Sequence, residues 1–280
     1  MVVSIQPFPY QGSKRKIADK ILDNLSIRPK RIIEPFAGSA AITVAAAIKH
    51  ISNSFIINDS YKPLAQLWKQ IIYEPGKVID GYTELWNAQL NDPKSYYLKI
   101  REEFNHDKDP IKLLYLMNRA VKGAIRFNSL GEFNQSPDNR RLGKQPVRVM
   151  KDLNTISSIL QGKTEVLNFD YSEVLSQVTT EDFVYMDPPY LGTSRGSNHR
   201  YHKNLNLDRF IRNIENLNQK NINYMISFDG STGDKTYGED LPKYLDLKKI
   251  SIDAGLSVQG TLNGRRVYTT ESLYIHLINK

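Results

Sequence analysis

Six short apolar runs, separated by segments with helical spacing, set the strongest limit on the fold of this 280-residue chain. Short apolar runs bounded by turn residues or charges are typical of buried strands. An alanine-rich helix follows the first run, and further helices are predicted near 150–160 and 208–219. Strands that alternate with helices favour an α/β fold with a mostly parallel sheet and right-handed crossovers. The predicted strands are 31–33, 54–59, 164–170, 183–190, 222–229 and 271–278.

One block interrupts this alternation. Residues 61–120 carry Leu, Tyr, Trp and charged residues at helical spacing, and residues 127–147 are dense in Asn, Gly, Pro and Arg. A helical block inside a strand-helix alternation indicates an insertion. We therefore predict a core formed by 1–60 and 156–280, with a mainly helical inserted domain at 61–155.

Composition excludes several classes of protein. The chain has no cysteine, which excludes disulfides and thiolate metal sites. Its five histidines form no HExxH-type pair, so we expect no catalytic metal. No run approaches the roughly 18 apolar residues of a membrane span. The first residues lack the apolar stretch of a signal peptide, so we expect a cytoplasmic protein.

Positive charge is concentrated in the inserted block. The formal net charge is +8, and the segment from Arg119 to Lys151 holds eight Lys or Arg residues against two acids, Glu132 and Asp138. Such a basic stripe favours a polyanion, above all a nucleic acid, as the partner. The alternative is a solvated surface whose charges only keep the protein soluble.

The turn after the first strand, EPFAGSA at 34–40, is typical of a ligand site at the carboxyl ends of parallel strands. Gly38 allows a positive φ or a close backbone approach. Asp59 ends the next strand, 21 residues later, which is the spacing of an acid that binds ribose hydroxyls. A nucleoside cofactor without a pyrophosphate fits better than NAD, because no full phosphate cradle is present. Alternatively, Asp59 caps the helix that follows.

A rigid corner follows the apolar run at 183–186. In Asp187-Pro188-Pro189-Tyr190, each proline lacks an N–H and fixes its own φ, and Pro189 holds Pro188 extended. A carboxylate and an aromatic ring therefore flank a stiff turn at the strand tip. The functional interpretation is a catalytic corner. The structural alternative makes Asp187 a strand-end cap and Tyr190 an ordinary core aromatic.

These motifs, in this order, resemble the Dam-type (group alpha) family of DNA adenine-N6 methyltransferases. PYQGSKRKIADKI at 9–21 is similar to the family's N-terminal aromatic-x-Gly-Gly-Lys element, although Gly-Ser replaces Gly-Gly at 12–13. IIEPFAGSAAI resembles its cofactor glycine motif, IINDSY its ribose acid, NFDY its contact to the cofactor's adenine, and DPPY its catalytic tetrapeptide. RFNSLGEFN at 126–134 closely resembles the signature of its DNA-reading insert.

The resemblance implies a Rossmann-like methyltransferase core, S-adenosyl-L-methionine as cofactor, and N6 of an adenine flipped out of duplex DNA as acceptor. Acceptors on the amine hydrogens free the nitrogen lone pair, and Asp187 and the Pro188 carbonyl would supply them. Tyr190 would stack on the flipped base. The implied catalytic residues are Asp187, Pro188, Pro189 and Tyr190. The implied cofactor-binding residues are Tyr10, Lys14, Glu34, Phe36, Gly38, Ser39, Asp59, Asp170, Tyr171 and Asp187.

Within the insert, the resemblance implies contacts with double-stranded DNA. Arg126 occupies the position that reads a guanine in the family, and we expect Glu132 to brace the loop through an arginine. Lys122 and Ala124 depart from GATC-specific relatives, so we expect a short palindrome that contains a guanine without assigning GATC. The implied DNA-binding residues are Lys122, Arg126, Asn128, Asn134, Arg140, Arg141 and Lys144.

Partners and alternatives follow from the same resemblance. We expect a monomer or weak dimer, associated with the nucleoid of a bacterium or encoded by a phage, with a cognate restriction endonuclease as a further partner. One alternative is methylation of cytosine N4, RNA adenine or a glutamine side chain, against which the leading Asp187 argues. The other is a non-catalytic nucleic-acid-binding module, against which the intact Gly38, Asp59 and Tyr190 argue.

Overall fold

The computed structural model of the chain describes residues 5–189, 205–232, 235–237, 240–256 and 268–278. Within these ranges, eight strands form one sheet with helices packed on it, which confirms the predicted α/β fold. The strands are β1 (Arg31–Glu34), β2 (Phe55–Asn58), β3 (Thr164–Leu167), β4 (Asp182–Met186), β5 (Asn223–Thr232), β6 (Lys235–Tyr237), β7 (Lys248–Leu256) and β8 (Tyr268–His276). The α-helices are α1 (Ala18–Leu22), α2 (Ala41–Ile48), α3 (Lys62–Tyr73), α4 (Pro75–Ala88), α5 (Pro93–Asp107), α6 (Pro110–Arg119), α7 (Pro146–Leu160), α8 (Tyr171–Ser176) and α9 (Leu207–Gln219). Short 3-10 helices lie at Lys14–Lys16, Val121–Gly123 and Lys243–Leu245.

The sheet has the strand order β3-β2-β1-β4-β5-β8-β7, and β6 pairs with β5. The strands from β3 to β5 in this order are parallel, while β8 is antiparallel to both β5 and β7. The chain moves outward from β1 through β2 to β3, then returns to the other side of β1 as β4. This reversal creates a switch point between β1 and β4, where the carboxyl ends of parallel strands leave a crevice for ligands.

Both faces of the central parallel strands β1, β2 and β4 are buried, which explains why their sequences contain continuous apolar runs. The edge strand β3 is only partly buried. Ile32 and Phe183 pack in a hydrophobic cluster with residues of α2, α3 and α7. Their neighbours Ile33 and Val184 face the opposite side and pack with α8 and α9. The alternation follows from the strand period of two residues.

The inserted block replaces the ordinary crossover between β2 and β3. Helix α3 contacts both strands, and α7 contacts α2 and α3. Helix α4 packs against α3 and α7, α6 packs against α3 and α4, and α5 packs against α6. Side chains of all five helices belong to the same hydrophobic cluster as the core face of the sheet. The division at residues 61 and 155 stays a prediction, since the block and the core share one packed interior.

Several elements differ from the sequence-based expectation. The strand predicted at 183–190 ends at Met186, before the two prolines that cannot continue a ladder, and the short strand β6 was not predicted. The strand predicted at 164–170 ends at Leu167, because the Asp170 carboxylate accepts from the Ser172 N–H at 3.0 Å and begins α8. Strand β7 was not predicted, since Lys248 and Lys249 begin it and its outer edge needs no apolar run. No helix in the described ranges is long and apolar enough to cross a membrane.

Candidate active site

A cavity of about 340 Å³ opens at the carboxyl ends of β1, β2 and β4, within the size range of small-molecule sites. Pro189 contributes to its wall, whereas Pro188 is not among the lining residues. Tyr190 lies outside the described residues. The cavity brings together all ten residues predicted to bind the cofactor: Tyr10, Lys14, Glu34, Phe36, Gly38, Ser39, Asp59, Asp170, Tyr171 and Asp187.

Gly38 forms the floor of the turn between β1 and α2. Its φ is +48°, and a Cβ at this position would lie 2.8 Å from Cε1 of Tyr10. Its N–H donates to Oδ2 of Asp59 at 3.1 Å, and its carbonyl accepts from Nε1 of Trp68 at 2.8 Å. The turn is therefore held from both sides, and only glycine fits it without strain.

Asp59 lies at the cavity and also holds the backbone that leads into α3, whose N-cap residue is Tyr61. Oδ1 of Asp59 accepts from the N–H of Tyr61, directly before α3, at 2.9 Å, and its side chain also lines the cavity. Burial raises the pKa of Asp59 to about 6, against the lowering effect of the bonds from Tyr61 and Gly38. Each carboxylate oxygen has two lone pairs, so these bonds leave acceptor capacity for a ligand hydroxyl.

Glu34 ends β1 and is 2% exposed. Its Oε1 accepts from the N–H of Thr43 at 2.5 Å, in the first turn of α2. The residue before this helix is Ala40, which has no side-chain acceptor, so the strand supplies the bond that a helix N-terminus needs. Burial raises the pKa of Glu34 to about 8.

An aromatic wall closes the side of the cavity formed by α8 and α9. The rings of Phe36 and Tyr171 lie 4.8 Å apart at 31°, and the Arg209 guanidinium lies 5.4 Å from the Tyr171 ring centre. Arg209 also donates to both carboxylate oxygens of Asp170, at 2.8 and 3.2 Å. Sequence reasoning missed Arg209, since no motif near residue 209 signals a contact with a residue 39 positions earlier.

Asp187 lies at the tip of β4 and contacts a buried cation. The Lys14 Nζ lies 2.9 Å from Asp187 Oδ1 and 3.6 Å from Oε2 of Glu271, and it donates to the Gly12 carbonyl at 3.4 Å. Burial by itself lowers the pKa of Lys14, but the two carboxylates raise it, and the net pKa lies above its ordinary value. Lys14 is therefore a cation here. The sequence predicted Lys14 at the cofactor but gave no signal for Glu271.

Residues 126–134 form a tight hairpin beside the cavity. Phe127 and Phe133 pair in antiparallel fashion, and Asn128 Oδ1 accepts from the N–H groups of Leu130 and Glu132. The Asn128 side-chain amide donates to Glu132 Oε2 at 2.8 Å. Glu132 thus braces the loop as expected, but through Asn128 in place of an arginine. This engagement favours a structural role for Asn128.

Arg126 begins this hairpin and is half-buried. Its two neighbours, Ile125 and Phe127, line the cavity. Its backbone carbonyl accepts from the N–H of Asn134 at 2.9 Å across the hairpin. The Arg126 Nε is buried and has no hydrogen-bond partner among the described residues.

The remaining basic residues of the insert divide into exposed and engaged side chains. Arg140 and Arg141 are exposed, whereas Arg119 is 2% exposed and donates to the carbonyls of Asp138, Arg141 and Pro93. The Lys144 Nζ donates to the Gln6 carbonyl at 2.7 Å and to Asp152 at 2.8 Å. The side chain of Lys122 lies outside the described part of the structure. The basic surface is thus smaller than the sequence count indicates.

Comparison of the chain with known proteins identifies its family. The model of the D12 class N6 adenine-specific DNA methyltransferases matches residues 10–253. The retron Ec67 DNA adenine methylase of Escherichia coli is 30% identical over 193 residues, 67% of this chain and 64% of its own length. The type II methyltransferase M.MjaIII of Methanocaldococcus jannaschii is 28% identical, over 67% of this chain and 70% of its own.

A third relative covers more of the chain. The type II methyltransferase M1.LlaDCHI of Lactococcus lactis subsp. cremoris is 25% identical over 264 residues, which is 89% of this chain and 88% of its own. The matched region includes the Gly38 turn, the hairpin at 126–134 and the corner at Asp187. The chain belongs to the D12 class of N6 adenine-specific DNA methyltransferases.

Proposed function

We propose that this chain transfers the methyl group of S-adenosylmethionine to N6 of an adenine that is flipped out of a short duplex DNA sequence. The observation that carries the proposal is the position of Asp187. Its carboxylate is held by Lys14 at 2.9 Å and faces the cavity that Gly38 and Asp59 also line. The acceptor for the amine and the binding site for the donor are therefore parts of one cavity.

The chemistry of the cavity fits the cofactor. Asp59 offers a carboxylate for ribose hydroxyls, and the paired rings of Phe36 and Tyr171 offer an apolar wall for an adenine. Gly38 and Tyr10 both line the cavity, and the absence of a Cβ at Gly38 lets the Tyr10 ring pack directly on the turn. When bound, S-adenosylmethionine supplies a methyl group already activated on a sulfonium.

The residues of the corner act on the acceptor. An exocyclic amine is a poor nucleophile because its lone pair is delocalised into the ring. Asp187 accepts a hydrogen bond from the amine, and the Pro188 carbonyl accepts another. As the new N–C bond forms and the bond between the methyl group and the sulfonium sulfur breaks, positive charge would pass from the sulfur to the nitrogen, and the Asp187 carboxylate would stabilise it there. The extra proton on the nitrogen then passes to solvent.

Access to the base requires flipping, at a cost of about a few kcal/mol. Stacking of Tyr190 on the extruded adenine returns roughly 1–3 kcal/mol of this cost. On the insert, Arg126 reads a guanine, supported by its place on a rigid hairpin next to the cavity. Arg140 and Arg141, both exposed, bind phosphates.

Further partners are part of the same proposal. Two of the relatives are named type II methyltransferases, and a cognate restriction endonuclease is the corresponding partner for this chain. A monomer or weak dimer stays the predicted working form.

The test is methylation of mixed-sequence duplex DNA, and of RNA in a parallel reaction, with labelled S-adenosylmethionine, followed by nucleoside analysis. We expect N6-methyladenine as the labelled product. Label in N4-methylcytosine, label in RNA only, or no label at all would each overturn the proposal.

The role of Asp187 is tested separately. Asp187→Asn keeps the size of the side chain but removes its charge, and we expect kcat to fall by about 10²–10³-fold while the Kd for DNA stays within threefold. The Kd for S-adenosylmethionine should rise by about tenfold or more, because the Asp187 carboxylate lies 2.9 Å from the Lys14 ammonium and offsets its charge at the cavity wall. Glu181→Gln is the matched control, since Glu181 directly precedes the same strand at its opposite end and its side chain is 63% exposed. An Asp187→Asn variant with wild-type kcat would contradict the assigned role.

A further inference from the structure

Glu271 contacts Lys14, the cation that pairs with Asp187, but does not itself line the cavity. It lies on β8, opposite Gly230 of β5 and Ile252 of β7. Strand β5 pairs with β4 up to Ile226 and Met186, so Gly230 and Glu271 lie beyond the carboxyl edge of the parallel sheet. From there, the Glu271 carboxylate reaches back toward Lys14 at the base of the cavity.

Close packing of the two strands holds this carboxylate in place. A Cβ at Gly230 would lie 2.8 Å from the Thr270 carbonyl and 3.8 Å from Oε2 of Glu271. The Glu271 side chain is 18% exposed. Its carboxylate is therefore positioned by backbone pairing, and its distance of 3.6 Å from the Lys14 ammonium reflects the fold of β5 and β8.

Lys14 presents an electrostatic difficulty for the proposed cofactor. Its ammonium is 5% exposed and lies at the wall of the cavity, where poor solvation makes charges act strongly on one another. A buried cation repels a sulfonium. It also neutralises part of the negative charge with which Asp187 would attract an amine that becomes positive. A second carboxylate on Lys14 counteracts both effects.

We propose that Glu271 is a positioning residue that offsets the charge of Lys14, so that the site favours the cationic donor S-adenosylmethionine over its neutral product S-adenosylhomocysteine. The inference rests on the proposed function. It assigns no contact between Glu271 and the substrate or the cofactor, because Glu271 acts through Lys14. The substrate and the product differ by one methyl group and one positive charge, so their affinity ratio reports the charge of the site.

The test is calorimetric titration of wild type and Glu271→Gln with each ligand, without DNA. We expect the Kd for S-adenosylmethionine to rise about tenfold in the variant, as removal of one nearby charge in a medium of intermediate dielectric predicts. The Kd for S-adenosylhomocysteine should stay within twofold. Glu165→Gln is the control for total charge, since Glu165 is exposed on β3 and does not line the cavity.

Three outcomes overturn the inference or the proposal beneath it. Equal weakening of both ligands by Glu271→Gln would mean that Glu271 only supports the shape of the site. Kd values for both ligands equal to those of wild type would mean that the charge of Glu271 does not reach the cofactor. A wild-type protein that binds neither ligand would instead overturn the proposed function.

A second variant keeps the test decisive should Glu271→Gln fail to fold. Glu271→Asp retains the charge but withdraws it from Lys14 by one carbon. We expect it to lower the preference for S-adenosylmethionine by a factor of about two to three, and a ratio equal to that of wild type would contradict the inference.

Discussion

The indole N–H of Trp68, in α3, donates to the carbonyl of Gly38 at 2.8 Å. Trp68 is fully buried, so the first helix of the inserted block holds the turn on which the proposed cofactor site depends. Trp68→Phe removes the donor and leaves a buried carbonyl without this partner, at a cost of about 1–3 kcal/mol. We expect a lower free energy of unfolding by urea and a higher Kd for S-adenosylmethionine. A Kd equal to that of wild type would show that the turn does not need this bond.

Gly38→Ala should damage the proposed cofactor site by two routes. The φ of +48° disfavours any residue with a Cβ, and the added Cβ would lie 2.8 Å from the Tyr10 ring. We expect a loss of about 1–3 kcal/mol in unfolding free energy and at least a tenfold rise in the Kd for S-adenosylmethionine. Gly162→Ala is the matched control, because Gly162 also has a positive φ, +75°, but no atom within 4 Å of the added Cβ. It should lose stability without a change in Kd.

Arg126→Ala should loosen sequence choice more than it weakens nonspecific DNA binding. A bidentate contact between Arg and guanine contributes roughly 1–3 kcal/mol of discrimination, which methylome sequencing of expressing cells would report as extra methylated sites. Arg140→Ala is the comparison, since the Arg140 side chain is 77% exposed. Arg140→Ala should weaken binding to all DNA sequences alike. It should also reduce the slope of log K against log salt concentration by about 0.9. Equal weakening on all DNA by Arg126→Ala would instead identify Arg126 as a phosphate contact.

Lys144→Met should leave the salt dependence of DNA binding unchanged. Its ammonium is engaged by the Gln6 carbonyl and by Asp152, so little of its charge remains for phosphates. We expect a lower unfolding free energy and faster hydrogen exchange in the N-terminal segment around Gln6, since the lysine ties that segment to the insert. A weaker salt dependence of DNA binding in Lys144→Met would show that Lys144 contacts a phosphate.

Glu34 should make the ligand-free fold less stable as the pH rises. Burial raises its pKa from 4.5 to about 8, so between these values the folded protein keeps a proton that the unfolded chain has released. The contribution is fully present below pH 4.5 and is lost as the pH rises through about 8. Glu34→Gln keeps the acceptor for Thr43 without a titrating proton, so thermal unfolding from pH 5 to 8.5 should show a flatter profile. Parallel profiles for variant and wild type would contradict a buried, protonated Glu34.

Much of the site was predictable because its residues lie in local patterns. Gly38 needs a positive φ in a turn after a strand, and Asp59 and Asp187 follow short apolar runs. In a parallel sheet the carboxyl ends of neighbouring strands meet at one edge. This shared edge, together with the resemblance to the methyltransferase family, led us to expect these three side chains near one another, and the cavity at β1, β2 and β4 contains them.

The sequence by itself determined the α/β fold, the turn at Gly38 and the family, because strand periodicity, turn chemistry and motif order are local properties of the chain. Only the tertiary structure decided which charges meet. The pairs of Lys14 with Glu271 and Asp170 with Arg209 join residues far apart in sequence. Lys144 cannot be told from the other basic residues of the insert by its sequence, and only the structure shows that it pairs with Asp152. The sequence around a charged side chain does not indicate which residue it pairs with, because the pairing depends on how the backbone brings distant segments together.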